Sequence, residues 1–365
     1  MVASISARKT VAAAVSYFKH MAQDEYHTHE SEAETEGEWA GRGAERLALN
    51  GPVSKSDFES ALNGLDPKTG ESLVQVGNRS HAPGWDMTFS APKSVSVMWA
   101  LSAEADRLKI ERAHRLAVSA ATTHLEDHHA FTRRGRAGAM REPVAGLTIA
   151  RFHHHTSRDL DPQLHTHAFI FNTAPRRDGT WGTVVSRDLY KAQKVAGAVY
   201  RKHLASGLER EGIAIERYET GFRLKAVPRD VERAFSKRRQ AIEQAAEAYG
   251  YKTPKGMEMA ALRTRQSKRP RERAALFKAW QVEAKAMGFD LTRARLEVRQ
   301  IAQAALSKPN ARLTSEAAGS PHKALSSAAR LLSVISIAAH APSRKPGLSV
   351  RLKQGNLERG REQGE

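Results

Sequence analysis

Cysteine is absent from this 365-residue sequence, which excludes disulfide bonds, thiolate metal ligands and a cysteine nucleophile together. A secretory signal is also missing, because the first residues lack the order of basic and then apolar residues that such signals have. The most apolar segment near the C-terminus, residues 331–341, is far shorter than the roughly 20 residues that cross a bilayer. These absences predict a soluble cytoplasmic protein with no membrane insertion.

Acidic residues are few relative to basic ones. The chain has 58 Lys and Arg against 40 Asp and Glu, a formal charge of +18 at pH 7 and an isoelectric point near 10.2. Such a charge favours a polyanionic partner over an ordinary metabolite. Residues 251–300 hold 13 basic against 5 acidic residues, an excess of 8. The densest run is predicted to contact a nucleic-acid backbone, with a solvated helix face as the alternative: Arg263, Arg265, Lys268, Arg269, Arg271 and Arg273.

Two histidines separated by one residue, His165 and His167, lie in a predicted β-strand. Pro162 marks the beginning of this strand, and the β-favouring apolar residues 168–171 continue it. Because side chains of a strand alternate between its faces, the two histidines share one face, about 6.7 Å apart along the chain. Thr166 points to the other face.

A third histidine can reach this pair from a second predicted strand, residues 146–155, which ends in His153, His154 and His155. The turn-rich stretch 156–161 lets the two strands pair as antiparallel neighbours. Because side chains alternate along a strand, His154 lies on one face and His153 and His155 on the other. Spacing alone leaves open which of these two faces is shared with His165 and His167. Three converging imidazoles are typical of a metal site. Since unrelated enzymes use three histidines, the set predicts metal binding better than reaction type.

Helical patterns alternate with these strands. A strand that begins at residue 85 is predicted to end at Ala91-Pro92, and a helix is predicted to begin at Lys93. Other helices are predicted over residues 10–27, 103–130, 188–212 and 228–249. The alternation indicates an α/β or α+β fold.

Two stretches are predicted to lack regular structure. The first runs from the end of the leading helix to about residue 45, and its alternating glutamates indicate a solvated acidic loop: Glu30, Glu32, Glu34, Glu36 and Glu38. Beyond about residue 305 the helical pattern decays into Ser, Ala, Pro, Lys and Arg. Residues 305–365 are therefore predicted to form a disordered basic tail.

Five motifs occur in a fixed order along residues 1 to about 300. They are Ser16-Tyr17, Glu38-Trp-Ala-Gly-Arg-Gly-Ala-Glu45, Asp86-Met-Thr-Phe-Ser-Ala-Pro-Lys-Ser-Val-Ser96, Thr156-Ser-Arg158 and Asp161-Pro-Gln-Leu-His-Thr-His167. In this order they resemble the conjugative relaxases of the MobF class, which belong to the HUH endonuclease superfamily. The resemblance implies an α+β relaxase domain over residues 1–300, with a central antiparallel sheet flanked by helices and a helical region after residue 190 that closes over DNA.

The resemblance also implies an activity. Such proteins make a site- and strand-specific nick in plasmid DNA at the origin of transfer, and they stay bound to the 5′ phosphate through a tyrosine. The implied metal ligands are His154, His165 and His167, with His153 and His155 as bystanders. A divalent ion is expected, Mg²⁺ first, with Mn²⁺ or Zn²⁺ as alternatives. The expected partners are single-stranded DNA of the transfer origin, accessory relaxosome proteins and coupling proteins.

Further site residues follow from the resemblance. Tyr17 matches the leading nucleophile and Tyr26 the second catalytic tyrosine, although the family's tyrosine doublets are absent, because Phe18 and His27 follow them. Asp86 matches the carboxylate beside the metal, where it either orients a histidine or accepts the tyrosine proton. Arg158 and Lys93 are expected to contact DNA phosphates.

Two alternative functions stay open at this stage. Rolling-circle replication initiators use the same histidine strand but place the tyrosine after it, and Tyr190 and Tyr200 lie downstream, the latter with a pattern that favours packing. A truncated, inactive DNA-binding remnant is the other alternative, because family members usually continue into a helicase. The sequence has no Gly-x-x-x-x-Gly-Lys-Ser/Thr phosphate loop to drive one.

Overall fold

The computed structural model describes residues 3–16, 37–74, 81–265 and 272–307. Residues Met1–Gln303 belong to one compact unit and Ala304–Glu365 to a second. The predicted tail lies almost wholly outside the described residues, so its disorder stays a prediction. Within the described ranges, no helix is long and apolar enough to cross a membrane.

Strands and helices alternate through the described residues. The strands are β1 (Ala3–Arg8), β2 (Gly37–Ala40), β3 (Gly84–Ser90), β4 (Phe131–Arg134), β5 (Met140–Pro143), β6 (Ile149–Thr156), β7 (Pro162–Phe171), β8 (Ala174–Pro175), β9 (Trp181–Gly182), β10 (Ile215–Tyr218) and β11 (Gly221–Leu224). The helices are α1, described over residues 11–16, α2 (Arg42–Arg46), α3 (Lys55–Leu62), α4 (Lys93–Leu101), α5 (Glu104–His128), α6 (Ser186–Arg210), α7 (Arg229–Ala234), α8 (Lys237–Ala248), α9 (Pro254–Arg263), α10 (Arg273–Ala286) and α11 (Leu291–Ser307).

Five strands form one antiparallel sheet in the order β1-β3-β7-β6-β2. The strand predicted around the His-x-His pair is β7, at the centre of this sheet, and its predicted neighbour β6 pairs with it in the antiparallel sense. Helices flank the sheet, which confirms the predicted α+β class.

The sheet has two differently covered sides. We call the side that carries His154, His165 and His167 the front face, and the opposite side the back face. Met87 and Ile170 point to the back face, where they join the main core under α4, α5 and α6. Both side chains are fully buried, and each such burial stabilises the fold by about 1.5–3 kcal/mol.

A smaller aromatic cluster covers part of the front face. Phe58 of α3 is fully buried, and its ring lies 5.2 to 5.9 Å from the rings of Phe152, Phe169 and Phe171. Ala14 of α1 is buried in the same cluster. The cluster therefore anchors both α1 and α3 on the side of the sheet that carries the three histidines.

The break at Ala91-Pro92 falls where it is predicted. Strand β3 ends at Ser90 and α4 begins at Lys93, because Pro92 lacks a backbone N–H for the sheet and suits the start of a helix. The hydroxyl of Ser96 accepts a hydrogen bond from the backbone N–H of Leu164 at 3.0 Å. This contact ties α4 to β7. The helices predicted over residues 103–130 and 188–212 are α5 and α6.

Two local predictions were wrong. Residues up to about 45 are not all polar loop, since Gly37–Ala40 forms the edge strand β2, which pairs with β6; residues 17–36 lie outside the described part. The helix predicted over 228–249 is interrupted between α7 and α8 at Phe235 and Ser236. Phe235 is fully buried, so packing of this ring into the core overrides the helical pattern there.

Candidate active site

Three histidines converge on the front face. His154 of β6 lies directly opposite His165 of β7, and His167 follows two residues further along β7. Their ring centroids are 5.1 to 5.2 Å apart, and one ring nitrogen of each lies within 4.8 Å of the others. The register places His154, rather than His153 or His155, on this face. Three imidazoles at these distances fit a divalent metal ion.

Hydrogen bonds orient two of the rings. Nδ1 of His167 lies 3.1 Å from each carboxylate oxygen of Asp86, and Nδ1 of His165 lies 2.9 Å from the carbonyl oxygen of Gln163. Because an ionised carboxylate and a carbonyl only accept, each Nδ1 carries the hydrogen and donates it. Nε2 of each ring therefore holds the lone pair that metal coordination uses.

Burial keeps His165 in the form that a ligand needs. Desolvation, followed by repulsion from His167, lowers the pKa of His165 to about 3. The ring is therefore neutral near pH 7, and metal binding there does not require it to release a proton.

Asp86 lies at the centre of a small polar group beside the histidines. It is 3% exposed, and its Oδ2 accepts a hydrogen bond from the guanidinium of Arg8 at 3.2 Å. The hydroxyl of Thr88 lies 3.0 Å from Nδ1 of His167 and 3.5 Å from Oδ2 of Asp86. The positive charge of Arg8 compensates for the burial of the carboxylate.

The sequence analysis did not include Arg8 and Thr88 among the site residues, although the alternation of side chains along a strand indicates the position of both. Thr88 follows Asp86 by two residues in a predicted strand, which places both on one face. The first described residues alternate strictly between small or apolar and polar side chains, a period typical of a strand: Ala3, Ser4, Ile5, Ser6, Ala7 and Arg8. This alternation predicts β1 and the face that Arg8 occupies.

Lys93 and Arg158 lie near the beginning of β7. The ammonium of Lys93 donates to the carbonyl oxygen of Pro162 at 2.9 Å. Desolvation lowers the pKa of Lys93 to about 8, and attraction to Asp161 offsets part of this effect. Arg158 is half-buried in the turn between β6 and β7. Their contacts with DNA phosphates stay predictions, and the internal hydrogen bond of Lys93 already engages its ammonium group.

The two candidate nucleophiles, Tyr17 and Tyr26, lie outside the described residues. The part of α1 that precedes Tyr17 is described, and its Val11, Ala14 and Val15 pack on the front-face aromatic cluster. The chain therefore enters the segment that contains Tyr17 from the same side of the sheet as the three histidines.

A buried chain of hydrogen bonds crosses the back face directly behind the histidine cluster. His153 Nε2 lies 3.3 Å from Oε1 of Glu38, and His153 Nδ1 lies 2.8 Å from the hydroxyl of Thr166. The same hydroxyl lies 2.8 Å from Nε2 of His114. His114 Nδ1 lies 2.7 Å from the hydroxyl of Tyr200. All four contacts are within hydrogen-bond distance.

The donor of each hydrogen bond in this chain can be assigned by starting from the carboxylate of Glu38. Burial lowers the pKa of His153 and of His114, so both rings are neutral near pH 7. Glu38 accepts from Nε2–H of His153, whose Nδ1 must then accept from Thr166. The oxygen of Thr166 accepts from His114, and Tyr200 donates to the remaining nitrogen of His114.

This arrangement assigns structural contacts to side chains that sequence reasoning left ambiguous. Glu38 is not part of a solvated loop, because it pairs with His153 and, at 3.5 Å, with Arg151; the other four glutamates of the predicted loop lie outside the described residues. His155 stacks on Trp99 with ring centroids 5.0 Å apart. Both His153 and His155 thus contact the back-face layer.

The downstream tyrosines lie on the wrong side for attack at the histidine cluster. Tyr200 is 0% exposed, its ring packs 5.6 Å from that of Phe89 on the back face, and burial raises the pKa of its hydroxyl well above the usual value. Tyr190 is exposed on the same helix, α6. The packing expected for Tyr200 agrees with this placement.

Solved structures of a conjugative relaxase are similar in fold to this chain. The structure of conjugative relaxase TrwC in complex with oriT DNA in its metal-bound form superposes with a TM-score of 0.69 at 31% identity, covering 79% of this chain and 99% of that one. TrwC complexed with a 27-mer DNA comprising the recognition hairpin and the cleavage site gives a TM-score of 0.68, also at 31% identity, with the same coverages of 79% and 99%.

Two curated proteins that are similar in sequence are also conjugation proteins. Multifunctional conjugation protein TraI of Escherichia coli strain K12 is 38% identical over 271 residues, which is 69% of this chain and 15% of that protein. A second TraI from Escherichia coli is 36% identical over 306 residues, 79% of this chain and 16% of its own length. The chain therefore spans only about a sixth of these curated relatives.

The antiparallel sheet, the three-histidine cluster on its middle strands and the similarity to TrwC identify a relaxase domain, as the motif resemblance predicts. The TrwC relaxase family model matches residues 11–287. The chain belongs to the TrwC relaxase family.

Proposed function

We propose that this protein is a site- and strand-specific DNA relaxase that nicks plasmid DNA at the origin of transfer and forms a 5′-phosphotyrosyl adduct for conjugative transfer. The observation that carries the proposal is the convergence of His154, His165 and His167 beside Asp86. TrwC, a relative in fold, binds oriT DNA in its own structures. Residues 1–300 are the part of the chain that we assign to this activity.

The histidine cluster is the proposed site of a divalent ion, with Mg²⁺ as the first candidate. When bound, the ion supplies Lewis-acid stabilisation of the charge on the scissile phosphate. The chain's own residues prepare this site. Asp86 and Gln163 hold the Nδ1–H groups of His167 and His165, which fixes the tautomer of each ring. Because Asp86 is engaged by His167 and Arg8, orienting the histidine is the role that its geometry favours over taking the tyrosine proton.

Tyr17 is the proposed nucleophile. A phenol has a pKa of about 10, so only about one molecule in a thousand is ionised near neutral pH, and the anionic phosphate repels it. Attack by the phenolate forms a bond between its oxygen and phosphorus, and the bond from phosphorus to the 3′ oxygen breaks. The 3′ oxygen leaves as a hydroxyl after taking up a proton. One phosphodiester replaces another, so the strand can be rejoined without a nucleotide triphosphate.

Other roles complete the proposal. Tyr26 is assigned as a second nucleophile that ends transfer, and Arg158 and Lys93 as contacts to DNA phosphates. Single-stranded DNA of the transfer origin is the substrate, and accessory relaxosome and coupling proteins are the partners. The proposed location is the cytoplasm.

Covalent adduct formation tests the proposal directly. The protein is incubated with Mg²⁺ and a labelled single-stranded oligonucleotide from the host plasmid's transfer origin, and the adducted peptide is identified by mass spectrometry. We expect an adduct on Tyr17, and we expect Tyr17→Phe to abolish it because phenylalanine has no oxygen for attack. Single-strand affinity should stay nearly unchanged.

Tyr190→Phe is the control, because this exposed tyrosine lies on α6 over the back face. An adduct of normal yield in Tyr17→Phe, or one mapped to Tyr190 or Tyr200, would overturn the assignment of the nucleophile and favour a replication-initiator mechanism. Absence of any adduct from the unmodified protein would leave DNA binding without catalysis.

A further inference from the structure

Two tyrosines flank the turn that ends α8. Gly250 has φ +67°, a left-handed conformation that glycine adopts without strain. The backbone N–H of Tyr251 donates to the carbonyl of Ala246 at 2.7 Å, and that of Gly250 to Glu247 at 3.0 Å. This pair of bonds is the Schellman motif. It turns the chain so that Tyr249 and Tyr251 come side by side.

The two rings form a stacked pair with a guanidinium group against them. The ring centroids of Tyr249 and Tyr251 are 5.7 Å apart, with 26° between their planes. Cζ of Arg263, at the end of α9, lies 4.4 Å from the centroid of Tyr249 and 5.9 Å from that of Tyr251. Gly256 of α9 packs closely on Tyr251, since a Cβ at this glycine would lie 2.7 Å from the Cβ of Tyr251. Helices α8 and α9 thus hold the group in place.

Solvent and positive charge surround this group. Tyr249 is 54% exposed, so part of this aromatic group is open to water. Residues 249–265 contain four basic side chains, Lys252, Lys255, Arg263 and Arg265, and one acidic side chain, Glu258. Apolar rings among cations match a ligand that presents both flat aromatic faces and negative charge.

We propose that Tyr249, Tyr251 and Arg263 form a stacking platform for an unpaired base of single-stranded DNA. Aromatic rings bind bases of any sequence by stacking, and guanidinium groups add to this attraction. A paired duplex does not offer base faces, so the platform selects single strands. The identity of the ligand as DNA rests on the proposed function, whereas the platform itself rests on the geometry of the turn.

Helix α8 links the platform to the beginning of β7, the strand that carries His165 and His167. The backbone N–H of Lys237, the first residue of α8, donates to Asp161 at 2.7 Å, immediately before β7. Tyr249 lies at the other end of α8, which has 12 residues and is therefore about 18 Å long. A single strand of several nucleotides can contact both places.

Equilibrium binding of Tyr249→Ala tests the platform. The unmodified protein and the variant are titrated against a fluorescently labelled oligothymidylate and against an abasic strand of the same length. We expect the variant to bind the oligothymidylate about 5- to 150-fold more weakly, which is the range for loss of one stacked base. The abasic strand should show no difference between the two proteins, and Tyr249→Trp should retain affinity.

Two comparisons separate stacking from charge and from misfolding. Tyr218, on β10, is 53% exposed, so Tyr218→Ala is the matched control and should bind as the unmodified protein does. The slope of log affinity against log salt should stay unchanged in Tyr249→Ala. In Arg265→Ala it should become shallower by about 0.7 if that side chain contacts one phosphate.

Unchanged oligothymidylate affinity in Tyr249→Ala would overturn the platform, as would an equal loss on the abasic strand. Loss of affinity in both Tyr249→Ala and Tyr249→Trp would also overturn it, because a stacking surface tolerates exchange of one aromatic ring for another. A protein that binds single strands through Tyr249 but forms no tyrosyl adduct would refute the proposed nicking function and leave the platform intact.

Discussion

Neighbouring residues of β7 face two differently organised polar sites. On the front face, His165 and His167 each use Nδ1 in a hydrogen bond, and one nitrogen of each ring lies within 4.8 Å of those of the other two histidines. On the back face, Thr166 lies in a chain of hydrogen bonds in which His114 and His153 use both ring nitrogens. Both sites consist mainly of imidazoles, and they differ in arrangement. The front-face rings converge on one centre, whereas the back-face rings lie one after another along a chain of hydrogen bonds.

The two faces of β7 are therefore expected to serve different purposes, the proposed DNA nicking on the front face and stability of the fold on the back face. A buried polar group that is fully hydrogen-bonded stabilises one arrangement of the core, and its loss destabilises the fold. Imidazoles that converge on one centre, with partners that orient their Nδ1–H groups, instead suit coordination of an ion. We therefore expect front-face substitutions to reduce nicking and back-face substitutions to reduce stability.

Among substitutions on the two faces of the sheet, the largest effect on nicking is expected for His165→Ala. Loss of a hydrogen-bond partner behind a metal ligand commonly reduces metal affinity or activity by about 10- to 100-fold, and loss of the ligand itself should exceed this. We expect cleavage to fall by more than about 100-fold and metal affinity to weaken, while the melting temperature without metal changes little. Cleavage assays and calorimetric titration with Mg²⁺ or Mn²⁺ measure these quantities.

His203 provides the control for this substitution, because it is an exposed histidine on α6. His203→Ala should leave both cleavage and metal affinity unchanged. If His165→Ala cleaved within a few-fold of the unmodified protein, the front-face cluster would not be the metal site.

Much of the front face could be predicted from local sequence, and the back face could not. Alternation along β7 predicts that His165 and His167 share a face and that Thr166 does not. The choice of His154 depends on the cross-strand register, which local alternation left open and the family resemblance predicts. His114 and Tyr200 are 86 residues apart in the chain. No local pattern indicates that two such distant side chains meet, so their chain of hydrogen bonds was missed.

The fold shows the same division. Strongly periodic segments such as α5 and β7 were predicted with nearly correct bounds. The edge strand β2 was missed because its four residues are too short for a periodic pattern and depend on pairing with β6. The break at Phe235 was missed because burial of that ring is a tertiary effect.

An intermediate effect on nicking is expected for Asp86→Asn. The amide keeps the shape of the carboxylate but lacks its charge, so it orients Nδ1–H of His167 less strongly and leaves Arg8 without its buried counter-charge. We expect cleavage and metal affinity to fall by about 10- to 100-fold. The control is Asp188→Asn, since Asp188, in the first turn of α6, forms its ion pair with Arg141 of β5. An unchanged metal affinity in Asp86→Asn would mean that the carboxylate does not act through His167.

The smallest effect on nicking, and the largest on stability, is expected for Thr166→Val. Valine has the shape of threonine without its hydroxyl, so Nε2–H of His114 loses its acceptor and Nδ1 of His153 loses its donor. Each buried polar group left without a partner costs about 1–3 kcal/mol, and two are affected, so the free energy of unfolding should fall by about 2–6 kcal/mol. Urea denaturation measures this change, and cleavage at a temperature where both proteins are folded should differ by no more than a few-fold.

Thr173 offers a matched comparison for this substitution. It is also 0% exposed, but its hydroxyl makes no hydrogen bond with the described residues. Thr173→Val should therefore be neutral or slightly stabilising. Equal stability changes at both positions would show that the back-face chain contributes nothing beyond packing. A loss of nicking in Thr166→Val as large as in His165→Ala would mean that the two faces of β7 do not separate catalysis from stability.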